Sequence, residues 1–295
     1  MELTGIKLHP GLGAEVRGVD FARPPDTATT VELERLWREH HVLLFRGADI
    51  ADEAQIRFSR AFGELEIHPE ADQRSSRHPE IFRVANTEET GHIRSADDPV
   101  DVYLKIVEFW HTDSAYRPIP SLGAVLRAVA VPESGGETLF ANLFHAWEEM
   151  PDELRRRVAG KVGRLSYERI RDFADPGHRK LTEEERAQVP AVTHSLTRRH
   201  PERDGRVSLY ISPLNMEGIV GMTEAEGFAL IDELTAWATQ ERFVYRHKWR
   251  EGDMLMWDNR CTIHQVMPYD RRSQRRTMHR TALVGREPVV PAEAA

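Results

Sequence analysis

Residues 254–266 have the sequence Met-Leu-Met-Trp-Asp-Asn-Arg-Cys-Thr-Ile-His-Gln-Val. The apolar run at 254–257 predicts a short strand, and the Asp-Asn pair that follows it is typical of a tight turn. The chain then alternates again, which predicts a second strand with Thr262, His264 and Val266 on one face. This stretch therefore predicts two strands around a turn, with a histidine on one face of the second strand.

More strands are predicted along the rest of the chain, and few helices. The further strands are 42–46, 102–109, 122–131, 208–211, 243–249 and 276–284. The helices are 27–41, 52–62 and 223–240, and the last begins with a capping box formed by Thr223 and Glu226. Many strands with a few helices are typical of a β-sandwich or jelly roll that helices cover from outside. We therefore expect a mainly β fold with peripheral helices.

The composition is that of a folded protein with no nucleic-acid partner. The chain has 295 residues, of which 40% are hydrophobic and 30% charged, so it is long enough to bury a sizeable core. We expect residues 1–295 to form a single domain. The formal net charge of -8 disfavours nucleic-acid binding, which needs a basic face, but leaves room for a local basic pocket.

Cysteine content and hydropathy bear on the compartment. Cys261 is the only cysteine, which excludes an internal disulfide and a cysteine-rich metal site. A reducing cytoplasm fits this content, although a secreted protein can also lack disulfides. The first residues lack the basic and then apolar segments of a signal peptide, and no apolar run approaches the roughly 20 residues of a membrane helix. We expect a cytoplasmic protein without a membrane partner.

Two long polar stretches interrupt the strands, at 66–101 and 167–206. Long loops in a compact domain often form lids over a site. Surface decoration is an equally good interpretation of either one taken alone. The Pro- and Ala-rich end, 287–295, is predicted to be a loose tail.

A candidate metal site begins at Trp110-His111-Thr112-Asp113-Ser114. In a strand, His111 and Asp113 would project to the same side, so one metal could meet both. A set of two histidines and one carboxylate with open positions is characteristic of non-haem Fe(II) oxygenases. Because the chain has 14 histidines, the motif alone is also compatible with a surface histidine beside a carboxylate. The position of His264 after a strand and turn makes it the candidate third ligand.

Two arginines follow with strand spacing. Arg276 and Arg280 would lie on one face about 13 Å apart, which suggests two separate anionic groups. The planar guanidinium suits carboxylate and sulfonate-like groups. An edge strand with solvated arginines is the alternative. Upstream, Gly135-Gly136 predicts a turn with close backbone approach, and Thr138 supplies a hydroxyl.

Several stretches together resemble the family of taurine dioxygenase and 2,4-dichlorophenoxyacetate dioxygenase. They occur in the family's order over 12–285, nearly the whole chain. These stretches are GAEVRGVD, HHVLLFRG, FSRAFGELEIHP, WHTDSAY, VPESGGETLF, WDNRCTIH and QRRTMHRTALVG. The resemblance implies a double-stranded β-helix, which is a cupin-like jelly roll. It also implies an enzyme that uses Fe(II), 2-oxoglutarate and O2, and that releases succinate and CO2.

The resemblance also implies a role for each of eight residues. The metal ligands, which are the catalytic set, fall on His111, Asp113 and His264. The 2-oxoglutarate contacts fall on Thr138 and Arg276, with Arg275 as a competing assignment because of a one-residue difference in spacing. Substrate contacts fall on His68, Tyr116 and Arg280.

Departures from the family pattern bear on the substrate. Ala71 replaces a tyrosine of the taurine enzyme, and the segment before Trp110 lacks an expected asparagine. We therefore expect hydroxylation of a small anionic substrate other than taurine: a sulfonate, a sulfate ester, an aryloxy acid or another carboxylate. Cleavage of a C–S, C–O or C–N bond could follow.

Three other interpretations stay open. One is oxidation of an amino-acid-derived intermediate in a biosynthetic pathway. Another is a non-catalytic jelly-roll binding protein, and the third is a zinc hydrolase that uses the same three ligands. Relatives commonly form dimers or tetramers, so the resemblance also implies a homo-oligomer.

Overall fold

The computed structural model describes residues 3–68, 71–174 and 180–292, without the side chains at positions 71, 185 and 188. The strands are β1 (Thr4–Lys7), β2 (Ala14–Arg17), β3 (Val42–Phe45), β4 (Phe82–Ala85), β5 (Gly123–Ala130), β6 (Thr138–Asn142), β7 (Val162–Leu165), β8 (Val192–Ser195), β9 (Thr197–Arg199), β10 (Val207–Leu209), β11 (Met216–Ile219), β12 (Val244–His247), β13 (Met254–Asp258), β14 (Thr262–Val266) and β15 (Thr277–Leu283). The α-helices are α1 (Thr27–His40), α2 (Asp52–Arg60), α3 (Pro99–Tyr103), α4 (Leu143–Glu148), α5 (Asp152–Val158), α6 (Tyr167–Ala174), α7 (Glu183–Gln188) and α8 (Glu224–Ala238). Short 3-10 helices are Ala71–Gln73, Leu104–Glu108 and Glu241–Phe243.

Two sheets form the centre of the molecule. The major sheet has seven strands in the order β1-β2-β3-β13-β5-β15-β4, and the minor sheet has three in the order β12-β6-β14. The neighbours pair antiparallel, except β2 and β3, which are parallel. The turn after β13 carries the chain from the major sheet to β14 in the minor sheet, so the two strands predicted at 254–266 belong to different sheets.

The inner faces of the two sheets share one core. On β13, Leu255 and Trp257 point inward, while Met254 and Met256 pack against the helices on the other side. Phe140 of β6 meets Trp257 across the interface, with ring centroids 5.5 Å apart. The period-two alternation of these strands decides which residues face the interior.

Helices cover both outer faces. Helices α1 and α2 pack on the major sheet, where Leu33, Leu36 and Trp37 of α1 are buried. Helices α4, α5 and α8 cover the minor sheet through a second cluster that contains Ala141 and Ile263. Helix α8 begins at the predicted capping box, in which Thr223 and Glu226 bond reciprocally. The predicted mainly β fold with peripheral helices is confirmed.

The strand predicted at 102–109 is wrong. This segment forms the end of α3 and the 3-10 helix Leu104–Glu108. Asp98 caps α3 by accepting a hydrogen bond from the backbone N–H of Val100 at 2.8 Å, and Pro99 occupies the first helical turn. Both features favour a helix start. Val100 and Leu104, four residues apart, then bury one helical face in the core between the sheets.

The two polar stretches are not plain loops. The first contains the buried edge strand β4, which pairs with β15. The second contains α6, α7, β8 and β9. Residues 69–70 and 175–179 of these stretches lie outside the described residues.

The C-terminal segment is held in place as far as the structure describes it. The backbone N–H of Arg199 donates to the carbonyl of Val290 at 2.8 Å, and the carboxylate of Glu287 lies 3.3 Å from the guanidinium of Arg198. The prediction of a loose tail is therefore wrong for these residues, because backbone and ion-pair contacts fix them. Residues 293–295 lie outside the described part.

Candidate active site

His111, Asp113 and His264 come together between the two sheets. One ligand atom from each side chain lies within 4.8 Å of the others, and all three residues are buried. The backbones of His111 and His264 form an isolated antiparallel bridge, with N–H···O distances of 3.0 and 2.9 Å. Their rings lie 4.2 Å apart. Contacts between residues that are far apart in the sequence thus bring the three side chains together.

The segment that carries His111 and Asp113 is not a regular strand. Only His111 makes a sheet-like bridge, and the chain turns at Ser114, which adopts a left-handed φ of 54°. The strand expected at this motif is therefore wrong, because the turn ends the extended conformation after one bridge. Both side chains nevertheless point to the same site.

The three side chains suit a divalent cation. His111 uses Nδ1 to bond the carbonyl of Phe109 at 2.8 Å, which leaves its Nε2 available. Asp113 Oδ2 lies 3.9 Å from His264 Nε2 and is a buried oxygen without a hydrogen-bond partner among the described residues. A buried carboxylate oxygen left unpaired is costly unless a cation meets it. Two nitrogens and one carboxylate form the donor set that non-haem Fe(II) takes.

The protonation states suit the same role. Burial lowers the pKa of His264 to about 3, and the adjacent His111 adds to that shift. Burial also lowers the pKa of His111. Burial acts to raise the pKa of Asp113, but Arg280 and the two imidazoles outweigh it and keep this pKa below its ordinary value. At neutral pH the site thus holds two neutral imidazoles and one carboxylate, which are the ligating forms.

Arg276 lies deep in the molecule, next to Thr138. It is 2% exposed, donates from Nη2 to Thr138 Oγ1 at 3.3 Å, and donates from Nε to the carbonyl of Gly136 at 3.1 Å. Burial lowers the pKa of Arg276 to about 10, so it is still protonated at neutral pH. No ion pair with a carboxylate is found for it within 3–68, 71–174 and 180–292. A buried cation in this state favours an anionic ligand.

The glycine pair allows the backbone to approach Arg276. Gly135 and Gly136 have φ values of 75° and 69°, which favour glycine. A Cβ on Gly136 would lie 3.2 Å from Cδ of Arg276, and one on Gly135 would lie 2.3 Å from the carbonyl oxygen of Pro268. Arg275, by contrast, is exposed and lies on the outer face with Thr277.

Arg280 reaches the metal constellation from β15. Its Nη1 donates to Asp113 Oδ1 at 2.5 Å, and its guanidinium lies 4.6 Å from the ring centre of Phe82. Phe82 also stacks near His68, with ring centroids 4.2 Å apart. The even-numbered residues of β15, with Arg276 before them, face the interior as the alternation predicts.

One pocket contains most of the predicted substrate and metal residues. His68, His111, Asp113, Tyr116 and Arg280 all line it. Its apolar wall consists of Phe82, Val84, Leu104, Ile106, Val107, Ile170 and Leu214. A smaller cavity beside Arg276 shares Val84, Leu104 and Val107 with this wall. His264 and Thr138 belong to the neighbouring strands β14 and β6 of the minor sheet.

The sequence is similar to known proteins over almost its full length. The family model for "Taurine catabolism dioxygenase TauD, TfdA family" matches residues 4–282. The chain belongs to the TauD/TfdA family. The alpha-ketoglutarate-dependent 2,4-dichlorophenoxyacetate dioxygenase of Cupriavidus pinatubonensis (strain JMP 134 / LMG 1197) is 33% identical over 286 residues, which cover 96% of this chain and 98% of that protein.

Two further comparisons agree with the family assignment. Pentalenolactone F synthase of Streptomyces arenae is 34% identical over 320 aligned positions that cover 100% of both chains. The crystal structure of AAD-2 in complex with Mn(II) and N-oxalylglycine has a TM-score of 0.88 and 32% identity, and it covers 99% of this chain and 100% of that one. The resemblance predicted from the motifs, including the cupin-like double-stranded β-helix, is confirmed.

This member of the TauD/TfdA family is an oxidoreductase of the 2-oxoglutarate-dependent dioxygenase class, which uses Fe(II), 2-oxoglutarate and O2. The predicted enzyme class and cofactors are thereby confirmed. Among the helices of the described ranges, none is long and apolar enough to cross a membrane.

The structure adds residues that the sequence did not single out. Glu66 accepts hydrogen bonds from Ser121 at 2.7 Å and Ser114 at 3.3 Å, and its carboxylate lies 3.3 Å from the guanidinium of Arg117. It therefore fixes the segment that follows Asp113. Its only sequence signal is its place in FGELEIHP, two residues before His68.

Asn86 and Trp249 support the Arg276 side of the site. The side-chain oxygen of Asn86 accepts the backbone N–H of Arg276 at 2.8 Å. The indole N–H of Trp249 donates to Thr138 Oγ1 at 2.9 Å. Neither residue has a motif around it that indicates this role.

Proposed function

We propose that the enzyme hydroxylates an organic anion with an apolar body, with Fe(II) on His111, Asp113 and His264. The observation that carries this proposal is the pocket in which Arg280, His111 and Asp113 meet an apolar wall. A C–H bond of a molecule held by Arg280 would lie beside the metal. Positioning of this kind is a large part of what a binding clamp contributes to a reaction.

Arg276 and Thr138 would hold the distal carboxylate of 2-oxoglutarate. Their mutual distance of 3.3 Å and the burial of Arg276 support this assignment, and the exposure of Arg275 argues against the competing one. A guanidinium and a hydroxyl together can offer a carboxylate several charge-assisted hydrogen bonds. His264 lies on β14, which pairs with the strand of Thr138, so the co-substrate would span a short distance from Arg276 to the metal.

The substrate's anionic group would pair with Arg280, with His68 and Tyr116 beside it. The guanidinium fork suits a carboxylate, a sulfate or a sulfonate. The apolar wall then calls for an aromatic or aliphatic body. An aryloxy acid has both properties, and one relative is named as a dioxygenase for such an acid. We place aryloxy acids first, followed by sulfate esters and sulfonates.

When bound, Fe(II) with 2-oxoglutarate and O2 supplies an oxidation in which the C–H bond becomes C–OH while the co-substrate becomes succinate and CO2. The protein's own residues bind and orient. Neutral imidazoles at His111 and His264 keep their lone pairs available, Arg276 neutralises the distal carboxylate, and the wall around Leu104 and Ile170 excludes water. This overall reaction does not require any side chain of the site to transfer a proton.

The other interpretations are less well supported. The comparisons do not favour an amino-acid-derived intermediate. Family membership argues against a non-catalytic binding protein that retains the pocket. The buried Arg276, which hydrolysis at zinc does not need, argues against a zinc hydrolase. A cytoplasmic location, a homo-oligomer and lid functions for the two polar stretches stay predictions.

The test is succinate formation from 2-oxoglutarate with Fe(II) and O2. Aryloxy acids, alkyl sulfates, sulfonates and amino-acid derivatives are supplied in turn, and the hydroxylated product is identified by mass spectrometry. We expect an aryloxy acid to stimulate succinate formation most. Stimulation by an uncharged or cationic substrate alone would contradict the role of Arg280. No succinate from folded, iron-loaded protein would contradict the reaction itself.

A further inference from the structure

The hydroxyl of Thr138 has both of its acceptor positions in use. Trp249 Nε1 donates to Oγ1 at 2.9 Å, and Arg276 Nη2 donates to the same oxygen at 3.3 Å. A threonine hydroxyl has two lone pairs and one proton. With both lone pairs engaged, the O–H group can only donate, and its proton is left for a third partner.

Trp249 is a fixed donor. An indole N–H cannot accept a hydrogen bond, so it specifies the direction of the interaction with Thr138. Trp249 is buried, and its ring packs edge-on against His247 at 4.6 Å and 88°. His247 in turn bonds the hydroxyl of Tyr245 at 2.9 Å and lies 3.3 Å from the carboxylate of Asp253.

The sheet register keeps this arrangement in place. Strand β6 begins at Thr138, which pairs with His247 of β12 on one side and with Val266 of β14 on the other. Trp249 follows His247 by two residues, so the backbone that positions the indole also positions the hydroxyl. Trp249 is therefore part of a rigid frame around Thr138.

We propose that Trp249 is a positioning residue for 2-oxoglutarate, because its indole N–H turns the Thr138 hydroxyl so that the proton points at the distal carboxylate. The inference rests on the proposed function, which places that carboxylate at Arg276 and Thr138. A carboxylate accepts hydrogen bonds only, so a hydroxyl that is already set to donate needs no rearrangement on binding. Trp249 would act on the co-substrate through its hydrogen bond to Thr138.

A packing role for Trp249 makes a different prediction. Phenylalanine at this position keeps most of the ring but lacks the N–H donor. If Trp249 only filled space, Trp249→Phe would change stability and leave the affinity for the co-substrate unaltered. If it orients Thr138, the same variant weakens co-substrate binding even when the protein is fully folded.

The experiment measures the Kd of N-oxalylglycine for the Mn(II)-loaded full chain by calorimetry, without turnover. The variants are Trp249→Phe, Thr138→Val, the double variant of these two, and Arg276→Gln. Trp237→Phe is the matched control. The indole N–H of Trp237 donates to the carbonyl of Ala146 at 2.7 Å, in the second cluster, which contains Ala141 and Ile263. Melting temperatures confirm that every variant is folded at the measuring temperature.

We expect Trp249→Phe to raise the Kd about three- to tenfold, and Thr138→Val to raise it about tenfold or more. The double variant should match Thr138→Val, because an effect transmitted through the hydroxyl vanishes when the hydroxyl is gone. Trp237→Phe should leave the Kd unchanged. In turnover, Trp249→Phe should raise KM for 2-oxoglutarate with little change in KM for the organic substrate.

Two outcomes would overturn the inference in distinguishable ways. If Thr138→Val weakens binding but Trp249→Phe does not, or if the two effects add, Trp249 does not act through Thr138 and the proposed function stands. If Thr138→Val and Arg276→Gln both leave binding unchanged, the co-substrate lies elsewhere, and the proposed placement fails together with the inference.

Discussion

Arg280 Nη1 donates to Asp113 Oδ1 at 2.5 Å, whereas Oδ2 of the same carboxylate has no hydrogen-bond partner within the described residues. The two oxygens of Asp113 therefore have different environments. Oδ1 faces the arginine proposed for the substrate, and Oδ2 faces His264, 3.9 Å away. Arg280 thus contacts a metal-site carboxylate and also faces the pocket. Its buried Nε has no hydrogen-bond partner among the described residues.

Arg280→Gln should raise KM for an anionic substrate about 10- to 100-fold, because it removes charge-assisted hydrogen bonds. Arg280→Lys should fall between wild type and Gln, since lysine keeps the charge but not the planar fork. Steady-state kinetics with saturating 2-oxoglutarate measures the effect. Because Arg280 also contacts Asp113, Mn(II) affinity is measured in parallel, and a loss confined to metal binding would argue against substrate contact.

Arg276→Gln should raise KM for 2-oxoglutarate about 10- to 100-fold, since the variant loses the buried cation beside Thr138. Arg275→Gln is the matched control. It removes the same functional group one residue earlier on the outer face, and it should leave this KM unchanged. The opposite ranking of the two variants would move the co-substrate assignment to Arg275.

The sequence predicted those parts of the molecule that depend on local pattern. Alternation placed the strand of His264 correctly, and the capping box placed the start of α8. The segment 102–109 shows the limit, because its apolar spacing suits either a strand or a helix and the Asp98 cap decides between them. The β4 strand lies inside a mostly polar stretch, where composition hides it.

The supporting residues of the site could not be predicted in this way. Trp249 and Thr138 are 111 residues apart, and Asn86 and Arg276 are 190 apart. A hydrogen bond between such distant positions leaves no periodic pattern in the sequence from which it could be predicted. The motifs indicate which residues carry the chemistry, whereas their orientation depends on the packing of the two sheets.

Asn86→Ala should lower the free energy of unfolding by about 2–3 kcal/mol, because several buried hydrogen bonds are lost together. The fully buried amide accepts from the backbone of Arg276 and donates to the carbonyls of Arg271 and Gln274 at 2.8 and 2.9 Å. Denaturant titration measures the change. The control is Thr90→Ala, at an exposed position of the same stretch, which should change the free energy of unfolding little. An equal effect of both changes would show that Asn86 does not anchor the segment before β15.

A second buried constellation, His200, Asp258 and Cys261, also brings its ligand atoms within 4.8 Å of one another. Arg260 already engages this carboxylate, donating from Nε to Oδ1 at 2.9 Å and from Nη2 to Oδ2 at 2.8 Å. Burial, followed by the charge of Asp258, raises the pKa of the Cys261 thiol well above its ordinary value. A metal there would have to displace a guanidinium and deprotonate that thiol.

The chain should therefore bind one Mn(II) or Fe(II), at His111, Asp113 and His264. Asp113→Ala and His264→Ala should each reduce bound metal to background, because either change removes one of the three ligands that the described residues bring within 4.8 Å of one another. Cys261→Ala should leave the metal content at one equivalent, since the thiol stays protonated and Arg260 already neutralises Asp258. Metal analysis of dialysed protein, together with calorimetry, measures the stoichiometry. Two equivalents in the wild type and one in Cys261→Ala would contradict this assignment, because the second constellation would then be a metal site too.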